Sequence, residues 1–272
     1  MVALNSFWRA ARNPLTIGGV FLAQMLHAIY RTDLPSFDDQ DPSGTFGDPV
    51  APRLRIVFLG DSTVTAPGVE PLDQSWARRT AHHFARRYHV EAISVAVGGA
   101  KAEDVLATQV DPAIAARPDL ALLIVGGNDA LRMTPISRFE AAYAEIVERL
   151  DRAVPAVGVL GIGDLGTIPR LPALAGGIAR IRSRAIDRAI RRVVAKHPTV
   201  PVTDAWHPKW TVFGEDLSLW TPDQFHGSAA GHGLYADATI PLAEKALELN
   251  WWAPAPTGSD ESSRSRCLPR RR

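Results

Sequence analysis

The sequence predicts an α/β fold: a doubly wound parallel sheet with helices on both faces, forming one domain of roughly 200 residues. Two observations carry this expectation. Short apolar, β-branched runs alternate with longer segments whose apolar residues recur at helical spacing. Leu120 to Val125 is also apolar without a break, whereas a strand with one wet face would alternate apolar and polar residues.

Leu54 to Leu59 (LRIVFL) is the first predicted strand, and it stops at Gly60. Gln74 to Tyr88 follows as a helix with Trp76, Ala77, Thr80, Phe84 and Ala85 facing inward. Val90 to Val97 is a strand ending in Gly98-Gly99, and Ala102 to Gln109 is a helix. Leu120 to Val125 (LALLIV) is a strand ending in Gly126-Gly127. Ser137 to Ala153 places Phe139, Tyr143, Ile146, Val147 and Leu150 on one helical face. Ala156 to Leu160 is a strand, and Gly177 to His197 is a basic helix with Ile178, Ile181, Ala185, Ile186, Ala189 and Val193 inward. Val200 to Thr203 is the last strand, and Ser228 to Leu249 is the closing helix.

The chain ends read differently. Leu15 to Tyr30 (LTIGGVFLAQMLHAIY) is mostly apolar, with Arg9 and Arg12 before it and Arg31 after it. A membrane span needs about 20 apolar residues, and Gln24 and His27 interrupt this one. No small-residue cleavage site follows, which argues against a cleaved signal peptide. Residues 1–31 therefore keep two readings: an amphipathic helix packed on the domain or lying on a membrane surface, and a short uncleaved anchor. Location stays open between cytoplasm and membrane. Residues 32–52, rich in Asp, Pro, Gly and Ser, predict a linker or an irregular surface segment. The domain proper is expected over 53–250, and 251–272, with five arginines from Ala253 onward, predicts a disordered basic tail.

Of the 272 residues, 46% are hydrophobic and 22% charged, values ordinary for a globular protein. Lys+Arg 30 against Asp+Glu 29 leaves a net charge of +1, so no global field points to nucleic acid as partner. The single cysteine, Cys267, cannot close an intramolecular disulfide, and no Cys/His cluster has zinc spacing. Neither metal nor cofactor is expected.

In a parallel sheet covered on both faces, sites lie outside the carboxyl ends of the strands. Three predicted strands run into short polar or glycine-rich turns: Gly60-Asp61-Ser62-Thr63, Gly98-Gly99-Ala100 and Gly126-Gly127-Asn128-Asp129. A tight Gly-Asp turn after a strand exposes the Ser62 hydroxyl. Gly99 lets a ligand approach the backbone and offers an N–H, and Asn128 offers a side-chain amide. Such donors stabilise the oxyanion of a tetrahedral intermediate. A serine nucleophile needs a base. Two histidines have Asp-x-x-His spacing, Asp204/His207 and Asp223/His226, and spacing alone does not choose between them.

Taken in order, these blocks resemble the SGNH (GDSL-type) hydrolase superfamily from about Leu54 to Leu249. Gly60-Asp61-Ser62 matches the first block, Val97-Gly98-Gly99-Ala100 the second, Gly126 to Asp129 (Gly-x-Asn-Asp) the third, and Asp223 to His226 the last. Ser228 and Gly231 fall where the family has a small residue and a glycine, a pattern that His207 lacks. The resemblance implies a flavodoxin-like three-layer sandwich and a cofactor-free esterase or lipase. It makes Ser62 the nucleophile, His226 the base and Asp223 its orienting partner, with Ser62, Gly99 and Asn128 as the oxyanion hole. Thr63, Gly98 and Gly227 depart from the common family residues without touching a reacting group. They leave the substrate open between short acyl esters, acetylated sugars and lipid esters. An acetyl esterase or acyltransferase of cell-envelope carbohydrate is the alternative on the same fold, and contact of residues 15–30 with a membrane surface goes with a lipid or acyl-sugar ester.

Two other motifs fail on mechanism. Gly161 to Gly166 fits G-x-G-x-x-G after a strand, but Pro169 and Pro172 argue against the helix that would hold a pyrophosphate. Val64 breaks the G-x-S-x-G nucleophile elbow around Ser62.

Overall fold

The computed structural model describes residues 14–29 and 31–251. The sheet has five strands: β1 (Gly44–Phe46), β2 (Arg53–Gly60), β3 (His89–Ser94), β4 (Leu120–Ile124) and β5 (Ala156–Val159). Their order is β1-β3-β2-β4-β5. β2 runs parallel to β3 and β4, and β4 parallel to β5, while β1 closes one edge antiparallel to β3. Every residue of β4 and β5 is buried, as the unbroken apolar runs require.

The helices among the described residues are α1 (Pro14–Ile29), α2 (Ser62–Thr65), α3 (Trp76–Ala85), α4 (Ala102–Thr108), α5 (Val110–Ala115), α6 (Gly127–Leu131), α7 (Ile136–Ala153), α8 (Ala173–Val194) and α9 (Ala229–Trp251). α3 packs with α9 against one face of the sheet, and α4, α5, α7 and α8 pack against the other. α7 buries Phe139, Tyr143, Ile146, Val147 and Leu150, the spacing read from its sequence.

Three expectations need correction. Val200 to Thr203 does not form a strand but a single parallel bridge, Val202 beside Val159. Pro201 has no N–H with which to extend the ladder. Ile181 of α8 is 70% exposed. The inward stripe runs through Ala179, Ser183, Ile186, Ile190 and Val193, and a residue two positions from Ala179 points roughly 200° away from it. The segment 32–52 is no free linker. Its residues 44–46 pair with β3. Asp39 accepts the Thr65 hydroxyl (2.6 Å) and the Gly98 N–H (2.8 Å), and Gln40 Nε2 donates to the carbonyl of Ala66 (2.7 Å). The polar side chains that suggested a linker satisfy backbone and hydroxyl groups of the domain.

α1 lies on α8, where Gln24 Oε1 accepts the N–H of Ala175 (3.0 Å). Val20, Leu22 and Leu26 remain exposed on it. Among the described residues, no helix is long and apolar enough to cross a membrane. The expected basic tail beyond Trp251, with Cys267, lies outside the described residues, as do residues 1–13 and Tyr30.

Candidate active site

The site is built on three turns at the carboxyl edge of the sheet and one loop before the last helix. β2 ends at Gly60, whose φ is +151°. A Cβ there would stand 2.1 Å from the carbonyl oxygen of Ile124, so the turn needs glycine. Buried Gln109 grips the same residue twice, accepting its N–H and donating to its carbonyl, both at 2.8 Å. Asp61 then caps α2, accepting the Thr63 N–H (3.0 Å), and Ser62 is the first residue of that helix. Burial raises the pKa of the Asp61 carboxyl, against hydrogen bonds from Thr63 and Asn128 that lower it.

The second and third turns are tied to the first. Gly99 takes a φ of +74° in the turn after β3. Asn128, on α6, directs its Nδ2 towards Asp61 Oδ2 (3.4 Å) and the carbonyl of Ala100 (3.2 Å). Asp129 is fully buried, and its Oδ2 accepts the N–H of Ala102 at the start of α4 (2.9 Å). Asn128 thus links the third turn to the first, and Asp129 links it to the second.

The fourth part is a tight loop closed by an antiparallel bridge between Trp220 and Gly227. Thr221 N–H donates to the carbonyl of His226 (2.8 Å), and Gln224 turns the chain with a φ of +58°. Asp223 sits inside. Its Oδ1 accepts Thr221 Oγ1 (2.6 Å), Phe225 N–H (2.8 Å) and His226 N–H (3.0 Å), and its Oδ2 meets His226 Nδ1 at 2.6 Å. Burial alone would raise the carboxyl's pKa. The bonds from His226 and Thr221 more than offset that and hold it well below the usual carboxylate range. Gly231 is where α9 passes the loop: a Cβ there would lie 2.4 Å from the Leu219 carbonyl oxygen. One turn along α9, His232 is buried and accepts the Trp76 N–H through Nδ1 (3.2 Å). Burial first, then the charges of His226 and Arg79, push its pKa down to about 3.

Ser62, Asn128 and His226 line one cleft of about 100 Å³, walled by Leu165, Ile168, Trp220, Phe225 and Tyr235. Asp223 stands behind His226, and Gly99 belongs to the adjoining turn and does not line the cleft. His207 also lies off the cleft, where its Nδ1 accepts the Lys209 N–H (3.2 Å) and caps a 3-10 turn. The G-x-G-x-x-G stretch leads into another 3-10 turn, Leu165–Thr167, and no α-helix begins before Ala173. Asp61, Gln109, Asp129 and Thr221 were not assigned roles from sequence. Asp61 and Asp129 sat inside recognised blocks, while nothing local marks Gln109 or Thr221. Among the described residues, no group of three His, Cys, Asp or Glu is placed to hold a metal.

The comparisons with known proteins agree with this architecture. Residues 58–234 match the model of the GDSL-like lipase/acylhydrolase family. The chain is 29% identical over 267 residues to the GDSL-like esterase Rv1075c of Mycobacterium tuberculosis, covering 91% of this chain and 81% of that protein. Among solved structures, TesA superposes with a TM-score of 0.58 at 19% identity, over 69% of this chain and 97% of that one. Axe2, an acetylxylan esterase from Geobacillus stearothermophilus, gives 0.56 at 17% identity, over 72% and 96%. These two likenesses show the shared SGNH-hydrolase fold. With the family model spanning more than half its length, the chain belongs to the GDSL-like lipase/acylhydrolase family and is a carboxylic ester hydrolase.

Proposed function

We propose that the protein cleaves carboxylic esters through an acyl-enzyme on Ser62, with His226 as general base and acid. The observation that carries this is the His226 ring, fixed by Asp223 at 2.6 Å and lining the same cleft as Ser62 and Asn128. With Nδ1 committed to the carboxylate, Nε2 is the nitrogen left to exchange protons. Ser62 Oγ bonds to the ester carbonyl carbon while His226 takes its proton. The tetrahedral oxyanion is held by the Asn128 amide and the Ser62 N–H, which line the cleft, and the family pattern adds the Gly99 N–H from the adjoining turn. As the C–O bond to the alcohol breaks, His226 returns the proton to the leaving oxygen. Water then attacks the acyl-enzyme, gives its proton to His226, and Ser62 leaves with that proton as the acid is released. Asp223 orients the ring and stabilises its charged form. No step calls for a metal or cofactor.

The test is hydrolysis of p-nitrophenyl esters together with fluorophosphonate labelling of the full chain. Ser62→Ala and His226→Ala are each expected to cut kcat by more than about 10⁴-fold, and Ser62→Ala to abolish labelling. Full turnover by Ser62→Ala would sink the mechanism.

A further inference from the structure

Beside the cleft lies a second cavity of about 130 Å³, at the carboxyl ends of β4 and β5. The two share Asp61, Thr63, Gly127, Leu165, Trp220 and Tyr235 as walls. We infer that this chamber receives the acyl chain of the ester, and that the chain is aliphatic; the inference rests on the assignment of Ser62 and His226 above.

The chemistry of the walls sets the ligand class. Away from Asp61 and the Tyr235 hydroxyl, which stand on the wall shared with the cleft, the polar side chains around the chamber have partners. Asp164 pairs with Arg180 (2.7 Å), Thr167 Oγ1 donates to the Asp164 carbonyl (2.7 Å), and Thr203 Oγ1 accepts the Gly161 N–H (2.9 Å). Trp210 Nε1 donates to the Asp204 carbonyl (2.8 Å) and Trp220 Nε1 to the Phe213 carbonyl (2.9 Å). Beyond that shared wall, what remains for a ligand is ring surface and aliphatic surface from Ile124, Leu160 and Ile162. Phe213 stacks on Tyr235 with centroids 5.3 Å apart and meets Trp220 edge-on at 5.5 Å, so this wall is a packed aromatic cluster. A guest with hydroxyls, such as a sugar, would lose hydration here without finding partners.

The position of the chamber sets which half of the ester enters. His226, Phe225 and Gly227 line the cleft but not the chamber. The leaving alcohol must face His226, which returns its proton, so the alcohol occupies that side. The chamber instead borders Thr63 and Gly127, the chain neighbours of Ser62 and Asn128. The substituent of the acyl carbon therefore has the chamber to itself.

Burying a methylene contributes about 0.8 kcal/mol, which converts to about fourfold in kcat/KM. Acyl chains should gain by about that factor for each added carbon until the chamber is full. Two acyl and alcohol series test this on the full chain: p-nitrophenyl acetate to octanoate, and methyl to octyl acetate. Both are run on wild type, Ala238→Phe and Trp210→Ala. Ala238 is a half-buried chamber residue on α9, and Phe there fills space, whereas Trp210→Ala opens it. The octanoate-to-acetate ratio is expected to fall on the order of tenfold in Ala238→Phe and to rise in Trp210→Ala, with the alkyl acetate profile unmoved. Near-UV circular dichroism checks folding, and if Ala238→Phe fails to fold, Trp210→Ala carries the test. An acyl profile unchanged in the folded variants overturns the inference, and so does a shift confined to the alcohol series. In both cases an active wild type leaves the hydrolase reading standing. A wild type that cleaves no ester and takes no fluorophosphonate overturns both.

Discussion

Two histidines of one short stretch, His226 and His232, are put to opposite uses. His226 keeps a ring nitrogen at the cleft and is held by a carboxylate. His232 is buried and spends its Nδ1 lone pair on a backbone N–H, which requires that nitrogen to be unprotonated. Nothing local in the sequence marks the burial of His232. That burial has a pH signature. The folded pKa is near 3, against 6.5 for the free ring, so between those values the unfolded chain binds the proton more readily. The stability tied to neutral His232 is fully present above pH 6.5 and is lost as the pH falls towards 3. Asp223, depressed by its partners, has the same sign at lower pH: its contribution is lost as the pH falls through the carboxylate range. Asp61, raised by burial, has the opposite sign. His232→Gln should therefore lose less melting temperature than wild type between about pH 7 and about pH 4. Parallel curves for the two proteins would refute the assignment. Asn128→Ala is expected to lower kcat by about 10²–10³-fold with a smaller effect on KM; steady-state kinetics on one ester decides it.

The strands and the long helices were legible because continuous apolar runs and helical spacing are written within each segment. β1 was not, because Gly44–Phe46 is a three-residue strand whose place is set by backbone pairing with β3. Nor were the cross-links between turns, which join residues far apart in the chain. Asp39 is such a link, touching Thr65 behind the serine and Gly98 beside Gly99. Asp39→Ala should cost about 1–3 kcal/mol of stability and lower kcat, because both turns lose an anchor. Urea unfolding and ester kinetics read the two effects, and a variant matching wild type in both would show that the turns hold themselves. Gly60→Ala is the harsher change. It meets both the positive φ and the Ile124 carbonyl, and it should destabilise the fold by at least ~2 kcal/mol, seen as a lower urea midpoint.

Across the whole molecule, the carboxyl-edge rule places the turns after β2, β3 and β4 along one edge of the sheet. Three of the four family blocks sit on turns that the sequence sets at that edge, and the fourth sits on the loop before α9. What could not be read was the space between them. The chamber beside the cleft draws its walls from the turn after β5, the aromatic residues around Trp210 and Phe213, and α9. No local pattern announces that those surfaces face one another. The same holds for the extra helix at the start. Arg170 donates through Nε to the Ala28 carbonyl at the end of α1 (2.5 Å), and its NH1 reaches the Asp223 carbonyl (3.4 Å). Its own N–H bonds to the carbonyl of Gln224 (2.9 Å). One arginine therefore stands between the apolar N-terminal helix and the loop that holds His226. An experimenter who trims that helix to gain a better-behaved sample would also be editing the histidine loop from a distance, and the trimmed protein would be a variant enzyme rather than a neutral control.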